Sequence, residues 1–533
     1  MTARITEFIM WPIRPRTSAT TSKGIGFAEP CRIPDDRGAD AGDEDAAIRD
    51  PSHSHRTQAC ATVPANVRTL GDQPLVQEDS FDFVIIGAGG AGEAAAHMAR
   101  ARGASVAIVD RELFGGSCPF WACMPSKALL HAATVHAGGG DYEWPKASAR
   151  RDYMINREGT DWPSDDGHVS SLEAAGAVTI RGTARITGPG TVVVSAEGED
   201  EDRTLRARHI LIAVGSSATI PSIDGIESIT PWTNRQATSA RTLPDSLVIL
   251  GAGPTGVEMA QVYARYGVPT VLIAPQAAIN PKDHPRNSAA LEAGLRRDGV
   301  DIRKLVRAIR IDASAGATGA HVVRLSDGTA VEGQEILLAV GRTYPLADLG
   351  LETVGVDASG GQATVGEDLR IADGVFLIGD PAGPEMHTHL AHYQGELAVR
   401  IALGDDVRPD YSAIPRAVYT DPEAAGVGLT LEEAIEAGHD VFEEVADLAT
   451  TAKGYVAEAS GHVTIVVDRG TRTLRGAFIA GPAASEVIHE AVLAIKTQTT
   501  IDVLADTIHA FPTTARVMGS LFTKALRRIE DAT

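Results

Sequence analysis

Apolar runs separated by glycine-rich loops define the first ordered part of the chain. Residues 81–86 are apolar at nearly every position and rich in β-branched and aromatic side chains, which predicts a strand buried on both faces. A glycine-rich loop at 87–92 and a helical pattern at 93–100 follow. A second apolar run, 105–109, ends in Asp110. This order predicts a strand–helix–strand unit with parallel strands.

The same pattern returns later in the chain. Residues 247–250 predict a strand, 251–256 a second glycine-rich loop, 257–266 a helix and 270–273 the next strand. The sequence therefore predicts two dinucleotide-binding units of the same architecture.

A third segment, beginning near Tyr411, has a different character. It combines alternating strands, such as 463–467, with amphipathic helices, such as 485–496, and it has no glycine-rich phosphate loop. The predicted fold class is α/β, with two doubly wound dinucleotide-binding domains and a C-terminal α+β domain.

Length and charge narrow the class of protein. A chain of 533 residues is expected to form about three or four domains. Its formal net charge of -22 argues against a nucleic-acid partner, which needs a cationic surface. No apolar run approaches the ~20 residues that span a bilayer.

The first part of the chain differs from the rest. Residues 1–78 are polar, with interleaved Pro, Asp, Ser and Gly, and are predicted to be a disordered tail. Cys31 and Cys60 lie in this tail and are expected to be inert to the main chemistry. Only 4 cysteines in so long a chain favour a reducing compartment, so we expect a cytoplasmic protein.

The two glycine-rich loops are candidate pyrophosphate sites, because glycine lets the backbone approach the phosphates at a helix N-terminus. Asp110 ends the second strand of the first unit and is a candidate ribose ligand. The second unit has Ala274 at that place; Lys282 or Arg286 could reach a phosphate, although both are more simply interpreted as surface charges. The preference between NADH and NADPH therefore stays open. The loop glycines are Gly87, Gly89 and Gly92 in the first unit and Gly251, Gly253 and Gly256 in the second.

Two cysteines, Cys118 and Cys123, flank four residues just after a glycine pair. A thiolate at a helix N-terminus is stabilised by the partial positive charge there, and its pKa falls. The spacing favours a redox disulfide that cycles between oxidised and reduced forms.

With the segment 115–127, which reads GGSCPFWACMPSK, the chain resembles the pyridine nucleotide–disulfide oxidoreductases. This family includes lipoamide dehydrogenase, glutathione reductase and mercuric reductase. Segments 338–342, 376–380 and 414–423 resemble further motifs of the family, and the likeness runs from about Phe81 to Arg516. Besides the loop glycines and Asp110, the cofactor-contacting positions that the resemblance implies are Gly215, Gly341, Gly379 and Asp380.

The resemblance implies bound FAD, NAD or NADP as the nicotinamide substrate, and a homodimer. It implies an FAD-binding domain at 79–232, completed by 342–410, an NAD(P)-binding domain at 233–341 and a dimerisation domain at 411–533.

The resemblance also implies catalytic roles. Cys123 is expected to be the charge-transfer thiol nearest the flavin, and Cys118 the interchange thiol that meets the substrate. Lys127, paired with Glu258, is expected near flavin N5, where a fixed cation stabilises developing negative charge.

The chain departs from the family near its C-terminus. Disulfide reductases of this family carry a His-x-His-Pro-Thr segment whose second histidine is the acid–base group for the partner subunit's site. Here Phe511 stands at that histidine and Arg516 at the glutamate that orients it, while His509 matches the first, non-catalytic histidine. Because a phenyl ring cannot move a proton, turnover of dihydrolipoamide or glutathione is expected to be poor.

Two features of the sequence bear on metal binding, and neither favours a metal site. No cysteine follows Cys123, so the C-terminal cysteine pair of mercuric reductase is missing. The histidines in the segment 386–392 are expected to pack or line a flavin pocket, and no metal site is predicted.

The predicted function is an FAD-dependent oxidoreductase that passes electrons from NADH or NADPH through the Cys118–Cys123 disulfide to a small acceptor. The alternatives are a dihydrolipoyl dehydrogenase, a mercuric reductase-like enzyme, an NAD(P) transhydrogenase and a slow, redox-sensing flavoprotein. The sequence does not name the acceptor, which is a disulfide, a quinone, a soft metal ion or another electrophile.

Overall fold

The computed structural model describes residues 79–196, 201–316 and 319–532. The predicted disordered tail, with Cys31 and Cys60, lies outside the described residues. The dipeptide 317–318 and the segment 197–200 also lie outside them.

The strands are β1 (Asp79–Ile86), β2 (Val106–Asp110), β3 (Val178–Arg181), β4 (Thr183–Gly188), β5 (Thr191–Ser195), β6 (Arg203–Ile212), β7 (Ser217–Ala218), β8 (Leu247–Leu250), β9 (Thr270–Ala274), β10 (Asp301–Lys304), β11 (Ala308–Asp312), β12 (His321–Leu325), β13 (Ala330–Gly333), β14 (Glu335–Leu338), β15 (Arg342–Thr343), β16 (Arg370–Ala372), β17 (Val375–Leu377), β18 (Arg416–Val418), β19 (Ala424–Gly428), β20 (Val441–Asp447), β21 (His462–Asp468) and β22 (Leu474–Ala480).

The α-helices are α1 (Gly90–Ala101), α2 (Ser117–Trp121), α3 (Cys123–Ala137), α4 (Trp144–Met154), α5 (Asp166–Ala174), α6 (Asn234–Ser239), α7 (Pro254–Arg265), α8 (Pro285–Arg297), α9 (Thr388–Ala402), α10 (Leu431–Glu436), α11 (Ala452–Ala457), α12 (Ala484–Lys496), α13 (Ile501–Asp506) and α14 (Thr514–Glu530).

The first sheet has the strand order β16-β17-β6-β1-β2-β3, and β5 joins β4 to β6. Strand β1 runs parallel to β2 and β6, and β17 runs parallel to β6, so their carboxyl ends meet at one edge. Phe83 and Ile85 face one buried core, while Val84 and Ile86 face another. The prediction of a strand buried on both faces is therefore confirmed.

The second sheet has the parallel order β10-β9-β8-β14, and the strands of an antiparallel sheet, β11-β12-β13, lie between β10 and β14 in sequence. Both glycine-rich loops are shorter than predicted, because α1 begins at Gly90 and α7 begins at Pro254. The N–H groups of each helix's first turn consequently belong to the loop itself, at the carboxyl edge of the sheet.

The C-terminal sheet is antiparallel, in the order β18-β19-β22-β21-β20. Strand β21 was expected to alternate between buried and exposed positions, but each of its residues is buried. Helices α12 and α14 cover one face of the sheet. On the other face, His462 hydrogen-bonds the Asn287 side chain of α8 at 2.9 Å. Both faces are covered, which removes the alternation.

In the described part of the chain, no helix has the length and apolar character that crossing a membrane requires.

Candidate active site

The first glycine-rich loop is shaped by close backbone contacts. Gly87 has φ +102°, and a Cβ there would lie 2.4 Å from the Ala213 carbonyl oxygen. A Cβ at Gly92 would lie 2.0 Å from the Gly87 oxygen. A Cβ at Gly89 would lie 3.8 Å from the Gly116 Cα, an ordinary van der Waals contact. The loop fits a pyrophosphate, which needs bare backbone at a helix N-terminus.

The second loop repeats this geometry. Gly251 has φ +107°, and its Cβ would lie 2.3 Å from the Ala339 oxygen. A Cβ at Gly256 would lie 2.0 Å from the Gly251 oxygen, while Gly253 has nothing within 4 Å. The chain therefore holds two cradles of one shape.

Ala213 and Ala339 form the back of the two cradles. Neither was among the predicted site residues, although Ala339 lies in the segment 338–342 that carried part of the family resemblance. A signal for them exists, since residues 210–215 read ILIAVG and residues 336–341 read ILLAVG. This short repeat marks the strand that crosses behind each glycine-rich loop.

Asp110 lies where the first unit was expected to bind ribose. Its Oδ2 accepts a hydrogen bond from the Ala88 N–H at 2.7 Å, and its Oδ1 accepts from the Glu112 N–H at 2.8 Å. Burial raises the pKa of this carboxyl, and these two N–H donors oppose that rise. The carboxylate is thereby oriented beside the loop.

The second unit has no such acid. Ala274 is buried at the end of β9. The Arg286 guanidinium lies 2.9 Å from Glu443 of the C-terminal sheet, so it is engaged there. Lys282 is exposed and has no ion-pair partner among residues 79–196, 201–316 and 319–532.

The predicted flavin motif around Asp380 meets the segment that follows β14. The Asp380 carboxylate accepts a hydrogen bond from the Ser216 hydroxyl, and Arg342 Nε lies 3.7 Å from Asp380. Arg342 also donates to the Ser216 carbonyl at 2.6 Å. Gly215 and Gly341 immediately precede Ser216 and Arg342 and have φ values of +62° and +135°. Three separate segments thus converge at one point.

Gly379 is positioned by a buried amide. The Gly379 N–H donates to Gln394 Oε1 at 2.8 Å, and Gln394 Nε2 donates to the Gly383 carbonyl at 2.6 Å. Helix α9, which carries Gln394, packs closely on α1, since a Cβ at Gly395 would lie 2.2 Å from the Ala91 oxygen. This packing brings the start of α9 to the first cradle.

The two cysteines lie on consecutive short elements. Cys118 is in α2 and Cys123 begins α3, with a break at Ala122 between them. A Cβ at Gly116 would lie 2.7 Å from the Gly89 Cα, so the cysteine loop rests directly on the first cradle. Both thiols are free and only partly exposed.

The thiols differ sharply in acidity. A hydrogen bond from Cys118 lowers the pKa of Cys123 to about 6, assisted by the Thr388 hydroxyl and the Lys127 charge. The same hydrogen bond raises the pKa of Cys118, because Cys118 keeps the shared proton. In the dithiol form, Cys123 is therefore the more acidic of the two thiols.

Lys127 and Glu258 form the expected ion pair. Lys127 Nζ lies 3.0 and 2.9 Å from the two Glu258 oxygens, and the Tyr419 N–H donates to Oε1 at 3.2 Å. The ammonium also lies 4.6 Å from the centre of the Tyr419 ring. Burial alone would lower the pKa of Lys127, but the Glu258 carboxylate outweighs it and raises the pKa. Tyr419 was not among the predicted site residues, although its segment carried part of the family resemblance.

The histidine nearest the expected acid–base position is held in the protomer's own packing. His509 Nε2 hydrogen-bonds Glu490 at 2.8 Å, and its Nδ1 hydrogen-bonds the Thr507 carbonyl at 2.9 Å. Phe511 is 74% exposed. Arg516 is also exposed, with no ion-pair partner for its side chain in the part of the chain that the structure describes.

The histidines near the start of α9 make ordinary contacts. His387 hydrogen-bonds Glu385 at 2.7 Å, and His389 hydrogen-bonds the Pro415 carbonyl at 3.0 Å. His392 lies against Gly90. Within the described ranges, no group of three or more His, Cys, Asp or Glu side chains is arranged to hold a metal ion.

Residues 81–395 match the sequence profile of the pyridine nucleotide-disulphide oxidoreductase family, and residues 414–521 match its dimerisation domain. The chain belongs to this family. It is an oxidoreductase of the EC 1.8.1 type that holds FAD and uses NADH or NADPH as electron donor. The predicted fold class is confirmed as well.

Curated relatives of two activities match the chain at nearly the same level. The dihydrolipoyl dehydrogenase of Rhizobium etli is 30% identical over 489 residues, which cover 85% of this chain and 100% of that protein. The mercuric reductase of Streptomyces lividans is 32% identical over 469 residues, covering 83% and 96%. The crystal structure of LpdA from Mycobacterium tuberculosis has a TM-score of 0.76 at 26% identity, covering 84% of this chain and 99% of that one. Overall similarity therefore leaves the acceptor open.

Proposed function

We propose that this protein passes two electrons from NADH or NADPH, by way of FAD, to the Cys118–Cys123 pair and on to a small acceptor. The observation that carries the proposal is the position of the cysteine loop on the first cradle, where a Cβ at Gly116 would lie 2.7 Å from the Gly89 Cα. The lowered pKa of Cys123 and the raised pKa of Cys118 support it. Lys127, held by Glu258, supplies a fixed cation next to this pair. An acidic thiol beside a fixed cation is typical of a reactive cysteine and not of a structural disulfide.

Bound FAD would supply the two-electron chemistry that links nicotinamide to the disulfide, and the glycine cradle, Asp110 and Asp380 are the groups proposed to hold it. The chain's own residues handle the charge. Reduction breaks the S–S bond with two electrons; one proton goes to Cys118, and Cys123 stays a thiolate. The Lys127 ammonium stabilises that negative charge in a partly buried site.

The acceptor is proposed to be one that needs no proton from a side chain at position 511. Phe511 cannot donate a proton, and His509 is bonded to Glu490. As an electron acceptor, a quinone, a soft metal ion or another electrophile meets this condition better than lipoamide or glutathione disulfide. Poor dihydrolipoamide turnover is the expected consequence.

One experiment tests the proposal directly. The purified full-length holoenzyme is titrated anaerobically with NADH and then NADPH, and the reduced enzyme is offered a panel of quinones, Hg²⁺, lipoamide and glutathione disulfide. The proposal requires Cys118→Ser to abolish turnover of the preferred acceptor. Unchanged acceptor turnover in Cys118→Ser refutes electron transfer through the Cys118–Cys123 pair. If the enzyme exchanges hydride between the two nicotinamides and reduces no acceptor of the panel, it is assigned as a transhydrogenase.

We also propose a homodimer formed through the matched dimerisation domain, with domain limits at 79–232 plus 342–410, 233–341 and 411–533. The first sheet supports this division, since it contains strands that precede the second sheet in sequence and strands that follow it. The low cysteine content supports a cytoplasmic location.

A further inference from the structure

Thr388 contacts the cysteine pair and was not among the site residues that the sequence predicted. Its Oγ1 lies 3.4 Å from Cys123 Sγ, across 265 residues of chain. It is also the first residue of α9, a helix of 15 residues, while Cys123 is the first residue of α3. The sulfur therefore faces two helix N-termini, each of which favours negative charge.

The Thr388 side chain has little freedom to turn away from the sulfur. A Cβ placed on Gly90 would lie 3.5 Å from the Thr388 methyl carbon and 2.7 Å from His392 Cδ2. The methyl thus occupies the space between α9 and the start of α1. With the methyl there, the hydroxyl points to Cys123.

The residues on either side of Thr388 are anchored to the C-terminal part of the chain. His387 hydrogen-bonds Glu385, which lies 3.3 Å from the Arg416 guanidinium. His389 hydrogen-bonds the carbonyl of Pro415, and the rings of His387 and His389 stack 4.9 Å apart. The start of α9 is therefore held on both sides of Thr388.

We propose that Thr388 is a positioning residue of the redox pair: its hydroxyl donates a hydrogen bond to the Cys123 sulfur and stabilises the thiolate form of that cysteine. The inference rests on the proposed function, because it takes Cys123 to be the thiolate half of a cycling disulfide. The hydroxyl complements the bond from Cys118 to the same sulfur, so that two donors converge on one acceptor.

Other charged groups around the sulfur set the background for any pH profile. Cys118 faces Cys123 from α2, Lys127 from α3, Glu258 from α7, and Tyr419 from the segment after β18. Lys127 and Cys118 favour the thiolate, while Glu258 opposes it. None of these groups changes when Thr388 is replaced.

The test measures the ionisation of Cys123 in the FAD-loaded enzyme without any acceptor or nicotinamide. In a Cys118→Ser background, alkylation of Cys123 by iodoacetamide is followed against pH by peptide mass spectrometry, which separates it from Cys31 and Cys60. Adding Thr388→Val, which keeps the shape and removes the hydroxyl, should raise the midpoint by about one pH unit, a roughly tenfold loss of thiolate below it. Thr388→Ser should restore the midpoint.

A matched control is Thr450→Val, which removes an exposed hydroxyl that donates to the Asp447 carbonyl at 2.8 Å. It should leave the Cys123 midpoint unchanged. A second, independent midpoint comes from the pH dependence of the long-wavelength charge-transfer absorbance of the same variants, which reports the Cys123 thiolate against FAD. Coincident profiles for Thr388→Val and its parent, by both measurements, overturn the role of Thr388. The proposed function stands or falls separately, on acceptor turnover in Cys118→Ser.

Discussion

Replacing Glu258 by glutamine tests the ion pair at the centre of the site. Glutamine keeps the size of the side chain, removes its charge and leaves one oxygen to serve both Lys127 and the Tyr419 N–H. Lys127 then loses the carboxylate that raises its pKa against the effect of burial. We expect the free energy of unfolding to fall and the reduction of the enzyme by NADH or NADPH to slow.

The magnitude follows from exposure. Removing one partner of a fully buried ion pair costs about 3–5 kcal/mol, and an exposed pair is worth about 0.2–1 kcal/mol. The Lys127 side chain is 36% exposed and that of Glu258 is 6% exposed, so we expect about 1–2 kcal/mol in the free energy of unfolding. If the Lys127 ammonium is no longer held in position and a stabilisation of this size is lost from the transition state, reduction slows about 10-fold or somewhat more.

The pH dependence of this effect has a definite sign. Because the pKa of Lys127 is raised in the folded protein, the stability it contributes is present below its ordinary value of 10.5 and is lost above the raised value. The difference between Glu258→Gln and wild type should therefore stay constant from about pH 6 to 9, and shrink only in more alkaline solution.

The assay pairs urea unfolding with stopped-flow reduction of the flavin by NADH and NADPH. Glu444→Gln is the matched control, since the side chain of Glu444, in β20, is 4% exposed and lies 2.8 Å from that of Arg528 in α14. Both variants should lose stability, but only Glu258→Gln should slow reduction. Equal reduction rates in the two variants would refute the role given to Glu258 and Lys127.

Further predictions concern the cradle, the thiolate, the missing proton donor and the nicotinamide. Gly92→Ala places a Cβ 2.0 Å from the Gly87 oxygen and should lower the FAD content of the purified protein, measured by the ratio of flavin to protein absorbance. The lowered pKa of Cys123 stabilises the reduced enzyme fully above about pH 9 and not at all below about pH 6, so thermal unfolding of the reduced form compared with Cys123→Ser should show a difference that fades over that range. Phe511→His should raise NAD⁺ reduction by dihydrolipoamide about 10-fold or more, because it returns a proton carrier. Ala274→Glu should raise the KM for NADPH and lower that for NADH, since an acid there binds the ribose diol and repels a 2′-phosphate.

Each of these has a control or a contrary outcome. Gly188→Ala adds a Cβ with nothing within 4 Å and should keep its FAD. A constant difference in unfolding temperature from pH 6 to 9 would contradict the lowered pKa of Cys123. Unchanged dihydrolipoamide activity in Phe511→His, also with Arg516→Glu added, would show that residue 511 does not limit the reaction. An unaltered ratio of the two KM values in Ala274→Glu would place ribose recognition elsewhere.

Local patterns along the chain were enough to predict the two cradles and the cysteine pair. The glycine spacing before a helix is a local constraint, because a Cβ at Gly92 would lie 2.0 Å from the oxygen of Gly87, five residues earlier in the chain. The spacing of Cys118 and Cys123 likewise depends on residues next to them in sequence. Resemblance to a family added the pairing of Lys127 with Glu258, which the folded chain realises at 2.9 Å.

The tertiary structure decided which groups distant in sequence complete these local features. Ala213 and Ala339 close the cradles, Tyr419 lies under Lys127, and Thr388 reaches Cys123. It also covered both faces of β21, where the chain pattern predicted one. The physical reason is common to all of them: such contacts form only when sheets and helices pack, and packing α9 on α1 brings together residues that no periodicity links. By itself the sequence determined the position of the cysteine pair and of the two glycine-rich loops. The packing determined which groups surround the Cys123 sulfur and so influence its charge.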